Sequence, residues 1–146
     1  MNFKSGLGDA DTLAASTAIL QHCRTIAVVG LSPDARRASF DVSRYMQAAG
    51  YRIVPVNPNA TRVLGERCYR TLSEAARHEI IELVNCFRRS EEIVAIAESA
   101  VGIGAAHLWM QMGVINEAAK AYAEEAAMLV VMDRCIMVEH RRLAAS

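Results

Sequence analysis

Gly30, Ser32 and Ser39 are the residues whose types and order could hold a phosphate. They lie between the apolar run Ile26-Ala27-Val28-Val29 and the helically spaced Phe40, Val42, Tyr45 and Met46. The chemistry would come from the backbone. A strand buried on both faces delivers the chain to a turn at Gly30. Residues 31–38 then supply Ser32, Pro33, Asp34, Arg36 and Arg37. Ser39 is placed to cap a helix whose unpaired N–H groups and positive dipole end face an anion. The loop reads G-x-S, so neither G-x-G-x-x-G nor G-x-x-x-x-G-K-[ST] is met. The same residues also describe a plain surface βα loop with a capping serine and two solvated arginines. The rest of the chain has to decide between the two.

The elements around this loop alternate. Residues 9–23 read as a first helix, with Asp9 or Asp11 as cap, and the helix after the central strand ends at Gly50. Residues 51–56, YRIVPV, form a second strand, and Pro55 inside it argues for a position near a sheet edge or strand end, where a missing N–H is tolerated. Asn57-Pro58-Asn59 turns the chain, residues 63–69 are a short extended segment, and a brief helix starts at Thr71 or Ser73. Residues 80–87 form a buried strand. Ser90, with Glu91 and Glu92 behind it, is expected to cap the helix that follows. Residues 105–110 and 128–132 supply two more strands, each followed by a helix.

This alternation predicts an α/β doubly wound fold in three layers: a mostly parallel sheet in one domain, with helices on both faces and right-handed crossovers. Ligands of such sheets lie beyond the carboxyl ends of the strands. That rule selects residues 30–39, 57–59, 87–90, 111–113 and 133–135.

Composition narrows the classes. The 146 residues are 53% hydrophobic, enough to bury the core of one compact domain. Sixteen basic residues balance sixteen acidic ones, so no global field draws the chain to nucleic acid or an anionic membrane, and an anion must be bound locally. No apolar stretch approaches the roughly 18 residues of a membrane span. With no apolar leader at the N-terminus, a cytoplasmic location is the expectation. Cys23, Cys68, Cys86 and Cys135 are scattered without a C-x-x-C pair, which fits reduced thiols better than a zinc site or disulfide framework. No catalytic triad, carboxylate pair or metal box is visible, and His22, His78, His107 and His140 read as structural or solvent-facing.

The end of the second strand bears on the ligand. A dinucleotide domain that reads a free ribose diol places an acid about 20 residues beyond its glycine loop. Here that place holds Val56-Asn57-Pro58. Such an end tolerates a phosphorylated ribose, as in NADP or coenzyme A, with Arg52 and Arg62 as partners for the phosphate.

Six blocks in order carry a resemblance: IAVVGLSPDARRASFDVSRYM, GYRIVPVNPN, LGERCY, NCFRRSEEI, LWMQMGVINEAA and VVMDRCIMVEH. From Asp11 to Leu143 the chain resembles the single-domain CoA-binding proteins of bacteria. These are similar to the N-terminal nucleotide domain of the succinyl-CoA synthetase alpha subunit.

The resemblance implies a Rossmann-like sheet carrying CoA or an acyl-CoA along its carboxyl edge. It implies that Gly30, Leu31, Ser32 and Ser39, with Arg37 beside them, hold phosphates, that Arg52 is a basic residue near the nucleotide, and that Asn57 and Pro58 lie beside the adenosine. Phe87, Arg88, Arg89 and Ser90 fall along the nucleotide and pantetheine path, where the relatives have a short apolar and proline segment. Gln111 and Gly113 fall at the edge of the next strand, with Trp109 in the core. Cys135 falls at a turn where a thiol near the pantetheine end could exchange with a CoA disulfide; the other reading is a small buried hydrophobe.

The synthetase's second domain, with its phosphorylated histidine, has no counterpart in these residues. The expectation is therefore a binding, carrier or sensor module for a small-molecule CoA ligand rather than an enzyme, either as a homo-oligomer or beside a partner subunit. A small NADP-dependent oxidoreductase is the alternative.

Overall fold

A computed structural model describes residues 3–146, with side chains from residue 10 onward. Five strands form one parallel sheet: β1 (Thr25–Val29), β2 (Arg52–Val56), β5 (Leu83–Cys86), β6 (His107–Met110) and β7 (Leu129–Val131). Between β2 and β5 the chain forms a small antiparallel hairpin, β3 (Arg62–Val63) with β4 (Glu66–Arg67). The helices are α1 (Phe3–His22), α2 (Ala38–Ala48), α3 (Leu72–Ala76), α4 (Ile93–Gly102), α5 (Glu117–Glu125) and α6 (Ile136–Ala144).

Both faces of the sheet are covered, which is why its strands read as continuous apolar runs. Ala27, Val54, Val84, Leu108 and Val130 pack on the side of α3, α4 and α5. Ile26, Val28, Ile53, Leu83, Trp109 and Val131 pack on the other, with Ile19 of α1, Val42 and Met46 of α2 and Ile136 of α6. The fold is the α/β, doubly wound, Rossmann-like architecture expected from the alternation. Pro55 lies on β2, an edge strand of the sheet.

The strand order is β2-β1-β5-β6-β7. The chain leaves β1 in one direction to reach β2, then crosses back to lay β5 on the other side of β1. The order therefore reverses between β1 and β5, and loops diverge there to leave a crevice.

Four local expectations change. The first helix begins at Phe3, so Asp9 and Asp11 lie within it rather than capping it. Gly6 and Gly8 are poor helix formers and mask the earlier start. Helix α2 is capped at Arg37, with Ser39 already inside. Ser90 opens a short 3-10 turn (Ser90–Glu92) instead of capping α4. Residues 63–69 are largely the β3–β4 hairpin, closed at Leu64 and Gly65, both with positive φ.

Candidate functional site

At the point of reversal two loops are pressed together. Gly30 has φ +88°, and a Cβ placed on it would stand 2.3 Å from the carbonyl oxygen of Phe87 and 2.8 Å from Cδ of Arg88. Only glycine tolerates both the conformation and the approach. Its N–H donates to Val56 O at 2.8 Å, and Phe87 N–H donates to Val29 O at 2.9 Å, so the ends of β1, β2 and β5 meet at this residue.

The loop after Gly30 is held by its own polar atoms. Leu31 is fully buried and anchors it from below. Ser39 is buried too, and its hydroxyl accepts the N–H of Ser32 at 3.0 Å. Ser32 Oγ accepts from Asp34 N–H, and Asp34 holds the Arg36 guanidinium through two contacts of 3.0 Å. That pairing holds the Asp34 carboxyl below its usual range. Phe40 and Asp41 N–H both donate to Arg37 O, so the amides of Ala38 and Ser39 are the ones α2 cannot satisfy from within.

The remaining carboxyl-edge loops are joined sideways. Asn57 donates from Nδ2 to Leu31 O at 3.0 Å and accepts Asn59 N–H on Oδ1 at 2.9 Å. Ser90 Oγ accepts Ile115 N–H at 2.9 Å, and Asn116 donates to Ser90 O at 2.9 Å. Gly113 N–H donates to Asp133 Oδ1 at 2.7 Å, buried Gln111 accepts Ile136 N–H at 3.0 Å, and Trp109 Nε1–H donates to Arg134 O at 2.8 Å. Ser90, Gln111 and Gly113 thus act as lateral ties along the edge.

Two neighbouring hollows open at this end of the sheet, the first of them beside Gly30. The first, about 190 Å³, is walled by Val29, Gly30, Val56, Leu72 and Ile96, with Arg88, Thr71 and Ser99 among its polar residues. Whole ligands of drug size occupy roughly 300–1,000 Å³, so this hollow takes one ring or one arm of a ligand. The second, about 660 Å³, runs past Pro33, Asn59 and Thr61 and is lined by Arg62, Arg67 and Arg70. Pro58 and Arg70 border both, so the two hollows adjoin.

Residues 24–141 match the family described as CoA binding domain. The chain belongs to the CoA-binding domain family.

Relatives agree in extent. The YneT protein of Bacillus subtilis is 43% identical over 122 residues, covering 84% of this chain and 89% of its own length. A hypothetical protein from Pyrococcus horikoshii superposes with a TM-score of 0.85 at 34% identity, covering 90% of this chain and 92% of its own. A dinucleotide-forming acetyl-coenzyme A synthetase from Ca. Korarchaeum cryptofilum shares the fold at 19% identity and a TM-score of 0.66, over 77% of this chain and 26% of its own.

Within this CoA-binding domain the anticipated residues separate into groups. Gly30, Pro58 and Arg88 line the first hollow, and Pro58 also borders the second. Leu31, Ser32, Ser39 and Asn57 shape the loop, and Arg37 stands exposed at the start of α2. Phe87 packs partly buried on the face of α1, α2 and α6. Arg88 and Arg89 both reach Glu92, at 2.7 and 3.2 Å.

Arg52 lies away from the Gly30 turn. It is the first residue of β2, so it lies at the amino end of the sheet, a strand's length from Gly30. Its guanidinium is held by Glu79 at 2.7 Å and Glu66 at 3.3 Å. Cys135, half-buried at the start of α6, lines neither hollow. Burial pushes the Cys23 and Cys86 thiols up to about 12 and raises Cys68, so none of these three is an activated nucleophile. The histidines line neither hollow: His78 stacks on Tyr69, and His140 Nδ1 lies 2.9 Å from the Tyr45 hydroxyl. Arg67 and Arg70 do not stand out in the sequence, because only the hairpin brings them beside Arg62.

The Arg52 placement predicts a clean separation of stability from binding. The Arg52 hydrogen bonds hold the Glu79 carboxyl below its ordinary value. That stabilisation is present above the ordinary carboxylate range and is lost as pH falls through the lowered value. Arg52→Gln should cost about 0.5–1 kcal/mol near neutral pH, the pair being part-exposed. Urea titrations should show the wild-type advantage vanish in acid, while CoA affinity stays unchanged.

Proposed function

We propose that this chain binds coenzyme A or an acyl-CoA across the crevice between β1 and β5, as a binding, carrier or sensor module. The observation that carries the reading is the pair of adjoining hollows, an apolar slot beside the Gly30 turn and a basic groove that shares Pro58 and Arg70 with it. The pyrophosphate would lie on the loop of residues 31–39 and the free amides of Ala38 and Ser39, where the α2 dipole favours negative charge. The adenine would enter the slot between Val29, Val56, Leu72 and Ile96, which offers aliphatic walls to a flat ring. Membership of the CoA-binding domain family supports the choice of ligand. The pantetheine arm would leave along the tied loops of residues 111–113 and 133–135.

Thermal shift with CoA, acetyl-CoA, NADP and NAD tests the ligand. A ligand that binds only the folded chain stabilises it by about 2.7 kcal/mol at a hundred times its dissociation constant. CoA and acetyl-CoA should raise the melting temperature with concentration and NAD should not. A rise with NADP and none with CoA would reverse the reading.

The slot has its own test. Ala95 is exposed on α4 at the slot's rim. Ala95→Trp should fill the entrance and weaken CoA at least about tenfold. The unliganded melting temperature should move only by the degree or two typical of a surface change. Unchanged affinity by calorimetry would put the adenine elsewhere.

A further inference from the structure

The basic groove reads a part of the ligand that the phosphate loop does not. We propose that Arg62, Arg67 and Arg70 bind a phosphomonoester carried on the adenosine ribose, which in coenzyme A is the 3′-phosphate. The proposal rests on the CoA reading above and assigns a specificity to it.

Three observations meet here. First, among the described residues no carboxylate pairs with any of these arginines, whereas Arg36, Arg44, Arg52, Arg88 and Arg89 each have a carboxylate within 4.0 Å. The nearby acids are engaged elsewhere: Glu66 goes to Arg52, and Glu74 accepts the backbone N–H of Arg70 at 3.0 Å. Three cations around one groove repel one another until a dianion enters, and a terminal phosphate offers three oxygens to guanidinium forks.

Second, two of the arginines are already positioned. Arg67 lies 4.6 Å over the ring of Tyr69, itself stacked on His78. Arg62 donates to Gly65 O at 2.9 Å across the hairpin turn.

Third, the end of β2 cannot read a bare ribose diol. Asn57 stands where an acid would be needed, and its amide is spent on Leu31 O and Asn59 N–H. The groove begins where that reading fails, and it shares Pro58 and Arg70 with the proposed adenine slot.

Calorimetric titration of CoA, dephospho-CoA, NADP and NAD against wild type and an Arg62→Gln/Arg67→Gln double variant, which spares the Arg70 shared with the adenine slot, tests this. Both side chains are exposed, so the variant should fold, with a melting temperature near wild type as the check. Wild type should prefer CoA to dephospho-CoA by roughly 30- to 100-fold, in the range of one or two charge-assisted hydrogen bonds. In the variant the ratio should fall to about threefold or less, through weaker CoA binding at unchanged dephospho-CoA affinity. Equal binding of the two ligands by wild type, or a ratio that survives in the variant, overturns the groove assignment and leaves the CoA reading intact. A preference for NADP over NAD that the variant erases, with no CoA binding, supports the groove and overturns the CoA reading. Binding of none of the four overturns both.

Discussion

Gly30→Val should abolish detectable CoA binding and destabilise the fold by about 2–4 kcal/mol, the sum of left-handed backbone strain and a steric clash. The side chain cannot be absorbed by a flexible neighbour. Its first obstacle is the backbone carbonyl of Phe87 at 2.3 Å, so β5 and its loop must move away from β1 and the crevice must open. Gly50 provides the control. It has φ +106°, but a Cβ placed there would meet nothing within 4 Å, so Gly50→Ala carries the strain alone. That variant should lose about 1–3 kcal/mol and keep its CoA affinity. Urea unfolding with calorimetry on both variants separates the contributions. A Gly30→Val protein that binds CoA as wild type does would mean that the β1–β5 crevice is not where the ligand lies.

Ser39→Asp should weaken CoA by about 10- to 1,000-fold, from like-charge repulsion of roughly 1–4 kcal/mol between a carboxylate and a phosphate some 4 Å apart. The loop itself should survive. An aspartate can still accept the Ser32 N–H that Ser39 Oγ now takes at 3.0 Å, and a negative charge in the first turn of α2 suits the dipole. Ser39→Ala is the complementary variant. It leaves the Ser32 N–H without its acceptor, at a cost of about 1–3 kcal/mol in stability, and adds no charge. Affinity should therefore fall far more in the aspartate variant than in the alanine variant. Equal affinities in the two would remove the electrostatic basis of the phosphate assignment.

Much of this arrangement is legible in the chain. Runs such as Ile26–Val29 and the strand around Val84 are apolar because both sheet faces are covered, and glycines and capping residues mark the crossovers between them. The carboxyl-end rule then finds the edge without coordinates. Ser39 is harder to read. A serine at a helix start satisfies the capping pattern equally well one or two residues inside the first turn, and only the buried contact with Ser32 distinguishes the roles.

Arg52 is assigned to the nucleotide by the family resemblance, whereas the structure sets it at the opening of β2, a place the sequence already signals. A residue that opens a parallel strand stands at the amino edge of the sheet, opposite the carboxyl ends where such sheets bind ligands. Arg67 and Arg70 are hidden for a different reason. Their approach to Arg62 depends on the antiparallel pairing of Arg62 with Arg67 and on the bridge between Val56 and Tyr69, tertiary choices that a short polar stretch does not announce. Ser90, Gln111 and Gly113 lie at the expected edge, but their hydrogen bonds run from loop to loop.

A crystal structure of the chain grown with saturating CoA tests the central claim most directly. The expected result is the pyrophosphate within hydrogen-bonding distance of the Ala38 and Ser39 amides, with the adenine against Val29, Val56 and Ile96. CoA bound along any other face, with the turn after β1 left empty, would contradict it.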